Sequence, residues 1–304
     1  MKSPLLLTAA LLIIGGTARA APLTLTLGGV TGPLQIGMPA KLSVTATGDG
    51  GTTPAFTSSD PAAVAVAADG TLTVRHLSVR PITLSVTEAG VTSTLDVTTF
   101  GLDFAGGTVH TDAPLVATAF TFRFADAAEN GVSADSTLSV TGPAGFNRDM
   151  PFAIAYSADL KKNATGTYSV LDLPALNGAY TATLTAGGVT YRAMAVIDSA
   201  SVLPLATGAD VTATTQDVTV TGTLPVGAAS LYVRAAERTF GKYVAATDPD
   251  PVAVLPVTQK WDAPLPSGTY RLVLTTRTYS GVKDGVMPDQ VNVSNTVLPR
   301  VRVH

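Results

Sequence analysis

Apolar and polar residues alternate along most of this chain, in short runs that turn residues separate. Residues 23–27, 41–45 and 82–86 each place an apolar side chain at every second position, with threonine or another polar residue between. Successive side chains of a β-strand point to opposite faces of its sheet, so these runs predict strands with one buried face. Asp69 and Gly70 lie between two such runs and predict a hairpin turn. Short strands at this spacing, with no helical segment among them, predict an all-β sandwich.

The runs group into three consecutive units, which we expect at residues 21–99, 100–199 and 200–304. Sandwich domains usually contain about 100–150 residues, so the chain has room for two or three of them. The boundaries near Phe100 and near Ser199 carry no long Pro-rich or Ser-rich linker. We therefore expect the units to form a semi-rigid array rather than freely moving beads.

The first twenty residues have the features of an export signal. Lys2 precedes an apolar run at residues 5–14, and Ala18 and Ala20 place small residues where a signal peptidase requires them. The run is shorter than the roughly 20 residues that span a bilayer. We predict a signal peptide at 1–20, cleavage before Ala21, and a mature chain without a transmembrane segment. The expected location is the periplasm, the cell surface or the extracellular medium.

Charge and cysteine content narrow the function further. The formal net charge is −3, and removal of Lys2 and Arg19 leaves 17 basic against 22 acidic residues. Scattered, mildly acidic charge provides no basic surface that would bind nucleic acid and no polybasic patch that would bind an anionic membrane. Cysteine is absent, so an exported chain of this kind depends on core burial for its stability.

The first unit resembles a known family. Residues 56–66 read Phe-Thr-Ser-Ser-Asp-Pro-Ala-Ala-Val-Ala-Val, and Ala-Asp-Gly with a Thr-Leu-Thr-Val strand follows at 68–74. In this order and spacing, residues 21–99 resemble the bacterial Ig-like group 2 domain. Phe56 stands where that family commonly has Trp, and Arg80 with Pro81 replaces its Gly-x-Ala. The resemblance implies an immunoglobulin-like sandwich, of the kind that surface and adhesion proteins use as stalks and receptor-facing modules.

The second and third units share a local motif. A Leu-Pro pair, a short turn, Gly-x-Tyr and an alternating run occur at residues 173–184 and again at 265–274. A tyrosine at the start of a late strand resembles the tyrosine corner of immunoglobulin and fibronectin type III sandwiches, whose phenol bonds to backbone nearby. We therefore predict structural roles for Tyr180 and Tyr270, and tandem Ig-like sandwiches as the fold class.

The sequence contains no recognisable catalytic motif. His76, His110 and His304 share no metal-ligand spacing, and we expect exposed loop or strand-end positions for them. Gly-x-Ser-x-Gly is absent, thiol chemistry is impossible without cysteine, and the acidic residues lie mostly singly in turns. We predict that the protein is not an enzyme, with no catalytic residue and no organic cofactor.

Calcium is the one inorganic ligand that the sequence favours at all. Asp126, Glu129 and Asp135 lie in one stretch of the second unit and form the candidate metal site. Calcium takes several oxygen ligands from loops, although these residues match no known calcium-binding repeat. Solvated turn residues are the alternative interpretation.

Four residues of the third unit are candidate contact residues. Trp261 is the only tryptophan, and it is either an exposed platform for a sugar or part of the core. Arg238, Phe240 and Tyr243 belong to the most charged and aromatic stretch of the chain, a composition typical of protein interfaces. An ordinary hairpin face is the alternative for that stretch.

These observations favour an exported, non-catalytic structural spacer or a protein-binding and adhesion module. Its expected partner is an envelope protein, a surface protein or a polysaccharide. An accessory protein that binds a carbohydrate or small ligand is the alternative hypothesis, and an enzyme whose site is assembled from distant residues is a third.

Overall fold

The computed structural model describes residues 21–48, 52–78, 80–132, 135–146, 164–236, 243–248, 250–251, 254–279 and 287–304. All regular structure within these ranges is β, which confirms the predicted fold class. No helix of the described part is therefore long and apolar enough to cross a membrane. The predicted signal peptide at 1–20 and the contact residues Arg238 and Phe240 lie outside the described residues.

The first unit contains nine strands, arranged as two three-stranded sheets, a two-stranded pair and one outlying strand. They are β1 (Thr24–Gly28), β2 (Leu34–Gln35), β3 (Ala40–Lys41), β4 (Ser43–Thr47), β5 (Ala55–Ser58), β6 (Val64–Val66), β7 (Thr71–Val74), β8 (Ile82–Glu88) and β9 (Val91–Val97). The sheets have the orders β5-β8-β9 and β3-β7-β6, and β1 pairs with β4. The apolar positions of the alternating runs, such as Leu84 and Val86, meet in one buried core. Asp69 and Gly70 form the predicted turn between β6 and β7.

The second unit is a sandwich of the sheets β13-β11-β10 and β12-β14-β15. Its strands are β10 (Thr99–His110), β11 (Ala117–Ala125), β12 (Thr137–Thr141), β13 (Ala164–Pro174), β14 (Gly178–Ala186) and β15 (Val189–Ile197). The strands β10, β11 and β13 thus correspond to strands A, B and E of an immunoglobulin-like sandwich, which also share one sheet. Aromatic rings fill the core: Phe104 stacks on Phe122 at 5.1 Å, and Phe120 meets Tyr180 edge-on at 5.5 Å.

The third unit repeats this plan with a larger second sheet. Its strands are β16 (Thr207–Ala213), β17 (Asp217–Thr223), β18 (Ser230–Ala236), β19 (Tyr243–Ala246), β20 (Asp250–Pro251), β21 (Val257–Lys260), β22 (Gly268–Arg277) and β23 (Val293–Val303). One sheet has the order β16-β17-β21, and the other runs β23-β22-β18-β19 with β20 beside β18. The buried faces of both sheets form one core around Leu231, Leu272 and Trp261.

Strand β10 connects all three units. Its first residues pair in parallel with β2, with Thr99 opposite Leu34. Its middle is the edge strand of the second sandwich, and at its end Val109 pairs in parallel with Val293 of β23. The order β13-β11-β10-β23-β22-β18-β19 is therefore one continuous sheet through the second and third units. A separate apolar cluster, which includes Ala105 and Met287, packs on this joint.

Gly107 permits this joint. Val291 N–H donates to the carbonyl of Gly106 at 3.1 Å. A Cβ on Gly107 would clash with the Val291 carbonyl oxygen, whereas a Cβ on Gly106 would lie 2.8 Å from Ile197 Cγ1, within the second unit. Val291, two residues before β23, thus approaches β10 more closely than a side chain at position 107 would allow. Because the contact at Gly107 is with backbone, a rotamer change could not relieve the clash.

Both tyrosine corners are confirmed. The Tyr180 hydroxyl donates to the Leu176 carbonyl at 3.1 Å, and the Tyr270 hydroxyl donates to the Pro266 carbonyl at 2.7 Å. Both rings are buried in the core of their own unit. Each phenol thus satisfies a turn carbonyl four residues upstream and holds the turn against the strand that follows.

Tyr270→Phe is expected to lower the free energy of unfolding by about 1 kcal/mol, because it leaves the Pro266 carbonyl without its donor. Urea denaturation of the mature chain measures the change. Tyr243→Phe is the matched control, because the Tyr243 side chain is 37% exposed and lies outside any corner. Equal stability of wild type and Tyr270→Phe would contradict a stabilising role for the corner.

Candidate functional site

A cleft of about 710 Å³ lies where the three units meet. The first unit contributes the loop after β2 and the end of β7, and the second contributes β10 and the edge strand β15. The segment before β23 completes the wall. The apolar side chains in its lining include Ile36, Val74, Leu102, Phe104, Met194 and Val196. The polar and charged ones include Arg75, His76, Asp103, Arg192, Asp289 and Gln290.

His76 joins the three units at one side of this cleft. Its Nδ1 lies 3.0 Å from Asp103 Oδ1, and its Nε2 lies 3.5 Å from Asp289 Oδ1. The other oxygen of Asp103 accepts a hydrogen bond from Leu77 N–H at 2.8 Å. Asp103 is 1% exposed, whereas the Asp289 side chain is 92% exposed. His76 thus lies between a buried carboxylate of the second unit and an exposed carboxylate of the third.

The local fold explains why Asp103 can be buried. In β10, Leu102 and Phe104 point into the aromatic core, and the alternation of the strand turns Asp103 to the opposite face. There it meets the chain that leaves β7, and Arg123 of β11 stands directly opposite in the strand register. A buried carboxylate needs partners, because burial of an unpaired charge is costly, and His76 and Leu77 N–H supply them for Asp103.

Two opposing effects determine the pKa of His76. Burial disfavours the charged ring and on its own would lower the pKa. The hydrogen bond and charge of Asp103, with the charge of Asp289, outweigh burial and raise the pKa above its ordinary value of 6.5. A protonated His76 can bond to both carboxylates at once and then links the three units by ionic contacts. The expectation of an exposed histidine was wrong at this position, since His76 is 9% exposed.

Of the predicted contact residues, the described Trp261 and Tyr243 do not line this cleft. Trp261 is 7% exposed, packs in the core of the third unit and donates through Nε1 to the Thr214 carbonyl at 3.2 Å. Its buried ring is unavailable for stacking on a sugar. Tyr243 is partly exposed on the large sheet, where the Arg234 guanidinium lies 4.4 Å from the centre of its ring.

Two of the three calcium candidates, Asp126 and Glu129, lie in a tight turn. Asp126 Oδ1 accepts hydrogen bonds from Ala128 N–H at 2.9 Å and from Asn130 N–H at 2.8 Å. Glu129 occupies the left-handed region at φ 63°, a conformation that suits a tight turn. Within the ranges that the structure describes, no three acidic or histidine side chains converge as metal ligands would. Calcium binding by Asp126, Glu129 and Asp135 stays a prediction.

Comparison with known proteins yields only distant similarity. No family model and no curated protein matches the chain. A crystal structure of domains 4 and 5 of the S-layer protein SbsC aligns at 19% identity over 59% of this chain and 99% of that chain, with a TM-score of 0.21. A crystal structure of the chicken CNTN1 FN1–FN3 domains aligns at 10% identity over 92% and 98%, also with a TM-score of 0.21. The fold assignment therefore rests on strand order and register.

His76→Gln is expected to destabilise the chain more in mild acid than in mild base. The folded-state pKa of His76 is raised, so its contribution is complete below about pH 6.5 and is lost as the pH rises through the folded-state value. Urea denaturation at about pH 5.5 and about pH 8.5 measures the difference between wild type and variant. His110→Gln is the control, because the His110 ring bonds to the carbonyl of Leu203 and, among the described residues, to no carboxylate. A loss of stability that is equal at both pH values would contradict this role.

Proposed function

We propose that this protein is an exported, non-catalytic spacer of the cell envelope or exterior. As a spacer, it holds the surfaces of its three units at a fixed separation. The observation that carries the proposal is the continuous sheet from β13 to β19, joined where β10 meets β23. Domains in tandem move relative to one another by default, unless a large or apolar interface restrains them. Here main-chain hydrogen bonds and a buried apolar cluster both cross the junction.

The first unit is restrained by different contacts. Ile36 N–H donates to the Phe100 carbonyl at 2.9 Å, and Phe100 of β10 pairs with Gln35 of β2. The bonds from His76 and Leu77 to Asp103 add a second point of attachment. Two separated attachments resist rotation about the chain connection, which supports a role as a stiff element. Adhesion to an envelope protein, a surface protein or a polysaccharide is part of the same proposal.

Gly107→Ala is expected to open the joint between the second and third units, because the new Cβ would clash with the Val291 carbonyl. Small-angle X-ray scattering should fit one conformation for the mature wild type and give a larger maximum dimension for the variant. Gly32→Ala is the control, because a Cβ at Gly32 meets nothing within 4 Å. A wild-type curve that requires many relative orientations of the units would contradict the spacer role.

Export is tested by expressing the full chain in a bacterium and measuring the mass of the product. We expect the mature chain to begin at Ala21 and to be recovered from the periplasm or the medium. Ala18→Asp combined with Ala20→Asp should block cleavage, because signal peptidase accepts only small residues there. A cytoplasmic, unprocessed wild type would contradict the proposed location.

A further inference from the structure

The cleft where the units meet contains an open strand edge. We propose that this cleft binds an extended peptide segment, which adds a strand to β15 through main-chain hydrogen bonds. The segment has apolar side chains at alternate positions and carries a carboxylate. This binding site does not depend on the spacer role, although a rigid junction keeps its walls in place.

The register of β15 shows which of its backbone groups are free. β15 pairs with β14, and in the described part of the chain no third strand lies beside it. Gly187 and Gly188 have φ values of 56° and 77°, which is the conformation of a two-residue type I′ turn. The pair that closes such a turn is hydrogen-bonded, and the pairs then alternate along an antiparallel ladder. Counting from the turn, the N–H and C=O groups of Arg192, Met194 and Val196 point away from β14.

The side chains of the same three residues leave this edge unprotected. Met194 is 69% exposed and Val196 is 60% exposed, and both are large apolar residues. Soluble proteins usually blunt a free edge with charges, proline or a β-bulge. The pairing of β15 with β14 runs without a register shift from Val189 to Ile197, and Arg192 is the only charged residue on the strand. An unprotected edge of this kind is the feature that strand addition uses.

The cleft limits what can reach the edge. Five consecutive residues, Arg192 to Val196, line the cleft, so both faces of β15 border it and the strand presents its edge. The loop at Ile36, the end of β7 at Arg75 and the segment at Asp289 form the facing walls. The cleft of about 710 Å³, which is open on one side, has the volume for one extended segment, since paired strands lie only about 4.8 Å apart.

The charges of the cleft favour a carboxylate on the bound segment. Arg75 and Arg192 are both exposed and line the cleft, and guanidinium groups bind carboxylates through paired hydrogen bonds. His76 and Asp103 satisfy each other, and the exposed carboxylate of Asp289 faces His76. Neither arginine forms an ion pair with a described residue, so both remain for the ligand.

A labelled peptide that copies residues 91–97, Val-Thr-Ser-Thr-Leu-Asp-Val, is a suitable probe, since it alternates and carries one carboxylate. Its Kd for the mature full chain is measured by fluorescence anisotropy. Two further peptides are N-methylated, one at odd and the other at even positions. Strand addition uses the N–H groups of one peptide edge only, so we expect one methylated peptide to lose binding and the other to keep it.

Variants of the protein test the edge directly. Met194→Pro removes an outward N–H but no bond to β14, and it should raise the Kd by about tenfold or more. Thr190→Pro is the matched control, because Thr190 has the same outward orientation but does not line the cleft. Arg192→Gln should weaken binding of the aspartate peptide and leave an asparagine version unchanged. Thermal melting of each variant verifies that it is folded.

Several results would overturn this inference. They are absence of binding at millimolar peptide, equal binding of both methylated peptides, and an unchanged Kd in a folded Met194→Pro variant. Self-association of the wild type that Met194→Pro abolishes would assign the edge to a second copy instead. None of these results affects the spacer proposal, which scattering tests separately.

Discussion

The pairing of both edges of β10 is the constraint on which the rest of the structure depends. A strand has two edges and two faces, and β10 uses all of them. One edge pairs with β11, the other pairs with β2 at its start and with β23 at its end. Its side chains enter the core of the second unit on one face and the apolar joint on the other. A change in this strand therefore reaches more than one unit.

Several polar groups at the joint form hydrogen bonds across unit boundaries. Thr108 N–H donates to Asn292 Oδ1 at 3.0 Å, and the Thr108 hydroxyl donates to the Ser201 carbonyl at 2.9 Å. His76 and Asp103 form the equivalent contact between the first and second units. Buried polar groups without partners cost more than apolar contacts gain, so these bonds fix relative positions as well as adding stability. The same rigidity holds the walls of the cleft beside β15.

Features that depend on local residues could be predicted from the sequence. Period-two alternation indicated the strands, and Gly-x-Tyr after Leu-Pro indicated both corners, because each phenol bonds only four residues upstream. The junction could not be predicted in this way. Gly106 and Gly107 would ordinarily suggest a turn, yet both lie inside β10. His76 contacts Asp103 and Asp289 only after the units assemble. The residues next to His76 in the sequence contain no pattern that predicts these contacts.

The parallel pairing of β10 with β23 has a consequence for the order of folding. Thr108 and its partner Asn292 are 184 positions apart, so a chain synthesised from its N-terminus completes β10 long before β23 exists. During that interval one edge of β10 and the small apolar side chains Ala105 and Val109 have no cover. Exposed edges of this kind promote association between nascent chains. The interval ends only when β23 has been made, so formation of β23 is the step that covers this edge of β10.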